Sequence, residues 1–158
     1  MGTKMDLPSL EKIIEFIKAD LDGCLKGGVN ISLALILSAY TEFFGHLLTG
    51  NDKNGESYEE WLKYMGDPYK AILDSGVNLY KIIRCGLVHE YTIKKSACIG
   101  TEKDFQGIEV KDDVIYFNNQ QYTQDFIKSI EKYYKDIQTN TSLQRNFEDF
   151  RNGKPIVI

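Results

Sequence analysis

The chain has 158 residues, 42% of them hydrophobic and 27% charged, a balance that suits one globular domain spanning 1–158 with a real core. Its formal net charge is −4, which excludes a global basic field for holding nucleic acid, so any RNA or nucleotide contact must use a local basic patch and weaken as salt rises. The three cysteines, Cys24, Cys85 and Cys98, are odd in number and lack zinc or CxxC spacing; they read as reduced thiols of a cytoplasmic protein, most simply as small buried hydrophobes.

Helix signals dominate in chain order. "SLEKIIEFIKADLDGCLKGG" places Leu10, Ile13, Ile14, Ile17, Leu21 and Leu25 at the three-and-four spacing of an amphipathic helix, with Ser9 as cap and Gly27-Gly28 as its end. The opening "MGTKMDLPSLEK" is polar and reads as no secretory leader. "ISLALILSAYTEFFGHLLTG", capped by Asn30 or Ser32, is apolar nearly all round and reads as the central buried helix. Its longest apolar run falls short of the roughly 20 residues that cross a bilayer, so no membrane partner is expected.

Ser57 and Glu60 suggest a capping box for a short helix presenting Trp61, Leu62 and Met65. Asp67-Pro68 suggests a cap and first helical residue for the next. Val77 to Leu87 continues as a helix, with Leu79, Ile82, Ile83, Gly86 and Leu87 along one stripe. "SACIG", "GIEV" and "DVIYFNN" then read as short strands of a small β-hairpin insertion around residues 96–118. Helices return from Tyr122 to Gln138 and in "SLQRNFEDFRNG", followed by the tail "KPIVI". Tyr122, Phe126, Tyr133, Tyr134, Phe147 and Phe150 read mostly as core, with part of the set suited to a dimer surface. The expected fold class is all-α, an up-and-down helical bundle with the hairpin packed on it.

The residues able to do chemistry gather in "LYKIIRCGLVHEYTIKK". Arg84 carries a permanent charge with donors that match phosphate oxygens, and His89 titrates near neutrality. Together they suit metal-independent cleavage of an RNA phosphodiester, in which the neighbouring 2′-hydroxyl attacks, His89 moves the proton and Arg84 stabilises the phosphate charge. Five helical steps set the two side chains about 140° apart, so convergence needs a break near Gly86 or a second copy of the chain. The bland alternative makes His89 a packed core residue and Arg84 a surface partner for a carboxylate.

Lys81, Lys94 and Lys95 bracket the pair, and Tyr80 and Tyr91 share the Arg84 side of the helix. This set can receive a phosphate backbone and stack a base, or it is an ordinary solvated face with two aromatics at the core edge. Glu42 and His46 lie one turn apart on the central helix. Two such ligands are too few for a metal site, and no metal or other cofactor is expected. Glu42 can instead reach Arg84 or His89, either to orient the latter or as a buried Glu–Arg pair that fixes helix register. "KGGVN" lacks P-loop spacing, and two histidines give no Ser-His-Asp grouping.

"IIRCGLVHEY", with Arg84-x-x-x-x-His89, the apolar residues before it and Glu90-Tyr91 after it, resembles the motif of the HEPN superfamily of small helical domains. The earlier apolar helix carrying an acidic residue is also similar, and the likeness covers roughly residues 9–138. The resemblance implies a HEPN-like bundle and a homodimer with a cleft between two motif helices. In many members it implies a metal-independent ribonuclease of toxin–antitoxin or defence systems. By position, Arg84 would be the phosphate stabiliser and His89 the acid–base residue, supported by Glu42, Glu90 and Tyr91. Cys85 departs from the polar residue, often Asn, that commonly follows the Arg in catalytic members. The alternative is therefore a non-catalytic helical module for dimerisation or for docking a partner protein.

Overall fold

The apolar segment after Val29 becomes the axis around which the other elements assemble. The computed structural model describes residues 7–87, 97–100 and 106–153. In order these form α1 (Leu7–Gly27), α2 (Asn30–Thr49), α3 (Asn54–Met65), α4 (Asp67–Asp74) and α5, a π-helical turn (Tyr80–Cys85). Strands β1 (Ala97–Gly100), β2 (Ile108–Lys111) and β3 (Val114–Asn118) come next, then α6 (Asn119–Asp136) and α7 (Thr141–Gly153). The architecture is mainly helical with a small three-stranded sheet.

Helix α2 touches α1, α3, α5, α6, α7 and β1. By length and composition it could cross a membrane, since its most apolar 18-residue window has a mean hydropathy of 1.5. That apolarity has another use here: half of the window is buried within the fold, including Leu33, Leu37, Phe44 and Leu47. Around Phe44 an aromatic core closes, with ring centroids 5.0 Å away for Trp61, 5.8 Å for Phe126 and 6.0 Å for Tyr133. These edge and tilted contacts add about 0.5–1.5 kcal/mol each to the burial of the rings. Tyr122, Phe126, Tyr133 and Phe147 lie in this core, whereas Tyr134 and Phe150 are half-buried at its edge.

Helices α2 and α3 approach closely. A Cβ placed on Gly45 would sit 2.0 Å from the Ser57 carbonyl oxygen, so only glycine lets the two backbones meet there. The contact displaces the expected capping box. Helix α3 starts three residues earlier, at Asn54, and Ser57 is a fully buried interior residue whose hydroxyl donates to Asn51 Oδ1 at 2.9 Å. Asn51 organises the entry instead, accepting the Lys53 N–H at 3.0 Å.

Other expected helix starts also move. Helix α2 begins at Asn30 after Val29, with no side-chain cap; α4 is preceded by Gly66, so that Asp67 lies inside the first turn. Helix α1 already starts at Leu7, which places Ser9 within it. Gly28 and Gly50, at φ +65° and +72°, terminate α1 and α2 in the left-handed conformation that glycine adopts without steric cost. Leu25 departs from its expected core stripe: it is exposed, as are Val29, just before α2, and Ile31 in its first turn.

The insertion is more than a hairpin. β2 and β3 pair antiparallel, joined by Asp112 and Asp113, both at positive φ (50° and 61°), as a tight primed turn requires. β1, however, pairs parallel to β3, with Ala97 opposite Ile115, giving the order β1-β3-β2. β3 takes the central position because it buries alternate residues, Ile115 and Phe117, against the bundle. Cys98 points away on β1 and is exposed, contrary to the buried reading; Cys24 and Cys85 are half-buried. The tail 154–158 lies outside the described residues.

Gly45→Ala is expected to lower the unfolding free energy by about 3 kcal/mol through overpacking, read as a reduced urea midpoint. Gly23→Ala, in the middle of α1 with nothing within 4 Å of the added Cβ, should instead stabilise by roughly 0.4–1 kcal/mol.

Candidate functional site

Arg84 lies on the π-helical turn α5, whose i→i+5 bonding widens the helix where the sequence pattern is broken by no proline. Leu79, Ile83 and Leu87 remain buried through and beyond it, anchoring the segment to the core, while Ile82 is half-buried. The irregularity precedes Gly86 rather than falling on it: Gly86 is right-handed helical, at φ −58° and ψ −50°. Single π-turns inside helices are frequent at functional sites.

The Arg84 side chain is held by Glu42 of α2. Nε lies 3.3 Å from Oε2, and Nη2 donates to Oε1 at 3.4 Å. Both are longer than the 2.7–2.9 Å of a tight charged pair. Nε and Oε2 are sealed from solvent without closing a well-aligned hydrogen bond to one another. The side chains are 20% and 14% exposed, so the pair sits at a boundary, neither solvated nor in the deep core. Glu42 engages the Nε–Nη2 edge, leaving the two Nη1 donors unclaimed by it. Of the two partners anticipated for Glu42, only Arg84 belongs to the described residues. His89, Glu90, Tyr91, Lys94 and Lys95 lie outside them.

Behind the pair is a group of buried hydroxyls that the sequence does not single out. Tyr58, Ser38, Thr41 and Tyr122 are all fully buried. Thr41 donates its proton to the Leu37 carbonyl at 2.8 Å, so at the 2.6 Å Thr41–Tyr122 contact Tyr122 must be the donor. Burial pushes the phenols of Tyr58 and Tyr122 well above the ordinary tyrosine range and keeps both neutral. Tyr58 was legible only indirectly: it falls three and four residues before Trp61 and Leu62, on the core face, where a phenol needs a polar neighbour.

Tyr80, at the start of the π-turn, is half-buried. It packs edge-on against Tyr58 with centroids 5.5 Å apart and lies over Gly55, where an added Cβ would come within 3.3 Å of its ring. Its phenol is also raised, by burial first and by the Glu42 charge second. Lys81 on the next position is exposed.

His46 takes no part in this group. Its Nδ1 donates to the Asn51 carbonyl at 2.7 Å, and its ring stacks on Phe150 at 5.4 Å, so it ties α2 to the following loop and to α7. Among the described residues no three His, Cys, Asp or Glu side chains converge as metal ligands. An open groove of about 270 Å³ between α1 and α6, lined by residues including Glu11, Glu15, Lys18 and Glu131, shares no residue with the Arg84 cluster. The Lys18–Glu131 ion pair bridges it.

Glu42→Gln and Arg84→Gln are each expected to cost about 1–2 kcal/mol, because each leaves a half-buried charge without its partner. The double variant should lose less than the sum, by about 1 kcal/mol in a denaturation cycle. No family model matches the chain, and neither a curated protein nor a solved structure is significantly similar to it.

Proposed function

We propose that this chain is a HEPN-like domain that binds RNA and cleaves it without a metal, acting as a homodimer. The observation that carries the reading is Arg84 itself. An arginine on a π-helical turn, oriented by Glu42 at a solvent boundary and flanked by exposed Lys81, suits a phosphate oxygen at its free edge. The motif supplies the rest of the reading, with His89 as the group that moves protons.

In this scheme one neutral imidazole takes the proton of the 2′-hydroxyl as its oxygen bonds to phosphorus. The bond from phosphorus to the 5′-oxygen breaks, and a protonated imidazole from the second copy supplies that leaving oxygen with a proton. The products are a 2′,3′-cyclic phosphate and a 5′-hydroxyl. Arg84 bears the charge that grows on the non-bridging oxygens. Lys81, with Lys94 and Lys95, lends the backbone attraction that an acidic protein otherwise lacks.

A second reading has its own support. Glu42 already neutralises Arg84, and Tyr80 spends one face of its ring on Tyr58 and Gly55. Both fit a helix face built for dimerisation or for a partner protein, with Cys85 in place of the polar residue of catalytic relatives.

Incubation with single-stranded RNA in EDTA separates the two. Cleavage should persist in the chelator, end in 2′,3′-cyclic phosphates, and fall about 100-fold or more in Arg84→Ala and in His89→Ala. Cleavage that stops in EDTA, or survives both substitutions, would exclude the scheme; no cleavage together with a stable dimer would favour the interaction module.

A further inference from the structure

Six buried polar atoms of the described side chains close no well-formed hydrogen bond, and four of them belong to Ser38, Glu42, Tyr58 and Arg84. Such atoms are rare in folded proteins, and two of these four, Glu42 Oε2 and Arg84 Nε, face each other as an ion pair at 3.3 Å. Four in one neighbourhood therefore ask for a reason. Ser38 and Glu42 lie one turn apart on α2 and so share a face. Glu42 faces Arg84 on α5, and Tyr58 approaches from α3, where its hydroxyl lies beside Ser38 and Tyr122 and in the fields of both Arg84 and Glu42. All four atoms are buried away from the surface.

Tyr58, unlike Thr41 and Tyr122, has its proton uncommitted. The proton of Thr41 goes to Leu37, and that of Tyr122 goes to Thr41. Tyr122 then has a lone pair left to accept from Tyr58. With its proton turned toward Tyr122, Tyr58 presents its own oxygen, the negative end of the phenol dipole, to the remaining surroundings, which include a guanidinium. The same residue grips the other end of the π-turn, since its ring supports that of Tyr80. Helix α3 thus holds α5 at Tyr80, four residues before Arg84.

We propose that Tyr58 is a positioning residue for Arg84, setting the direction of the guanidinium from the core side while Glu42 holds it from α2. The functional weight of this rests on the phosphate-binding role proposed for Arg84, but the arrangement can be tested on Arg84 itself, with no RNA present.

The test is nuclear magnetic resonance on the full chain, reading the side-chain Nε–H of Arg84. In the wild type this proton should exchange slowly with solvent, because Nε is sealed. Tyr58→Phe, which removes one oxygen atom, should speed that exchange at least tenfold while thermal unfolding stays cooperative. Tyr64→Phe, which removes a hydroxyl bonded instead to Asp136, should leave it unchanged. The reciprocal measurement keeps Tyr58 in place and covers a Tyr58→Phe chain that fails to fold. Arg84→Gln should shift the 13Cζ resonance of Tyr58 but not that of Tyr133, whose hydroxyl donates to the Leu47 carbonyl. Unchanged Arg84 exchange in folded Tyr58→Phe, or an unmoved Tyr58 resonance in Arg84→Gln, overturns the assignment. Absence of RNA cleavage alongside both positive results would count against the ribonuclease reading alone.

Discussion

The close crossing of α2 and α3 at Gly45 is the constraint from which the rest of the molecule follows. A backbone carbonyl of α3 occupies the space where any other residue of α2 would carry a side chain. That approach sets the height at which α3 rides on α2. It brings Trp61 onto Phe44 on one side of the crossing and Tyr58 toward Ser38 on the other. The groove that remains beside α3 receives α5, whose Tyr80 ring rests on the small surface of Gly55. Two glycines, one on each helix, thus decide where an arginine on a third element can go.

The pairing of Glu42 with Arg84 is best understood against this background. An ion pair formed at a packed boundary gives little net stability, because desolvation offsets much of the attraction. Its loose geometry indicates the same, with both contacts longer than a tight pair. What such a pair supplies well is direction. A guanidinium fixed along one edge has lost most of its rotational freedom before a ligand arrives, and that entropy need not be removed again on binding. The neighbouring hydroxyls add to this rigidity without adding net charge, since burial keeps the phenols protonated.

Much of the helical layout was legible in the chain because apolar spacing and glycine stops are local signals: Leu10 to Leu21 on α1, the nearly all-apolar α2, and the left-handed Gly28 and Gly50 can each be read over one or two turns. The start of α3 was not, since Ser57 and Glu60 satisfy a local rule that the tertiary contact at Gly45 overrides. The parallel pairing of β1 with β3 escaped for a related reason: neighbouring strands suggest a hairpin, and only burial of Ile115 and Phe117 makes β3 the centre. At the site, Arg84 and Glu42 stood out by charge within apolar surroundings. The π-turn, Tyr58 and Ser38 did not, because widened helices leave no composition signature and a buried phenol looks like any other aromatic on a core stripe.

The junction of β3 with α6 has a mechanical meaning. Strand ends and helix begins at consecutive residues, Asn118 and Asn119, with no intervening loop. Asn118 accepts the Gln121 N–H with its side chain while its own N–H donates to the Gly107 carbonyl at 2.8 Å, and Asn119 reaches the Asn30 carbonyl, also at 2.8 Å. Sheet and bundle are therefore geared together without slack. A twist applied to the small sheet would turn the first coil of α6, and with it Tyr122, the phenol at the inner end of the hydroxyl row behind Arg84.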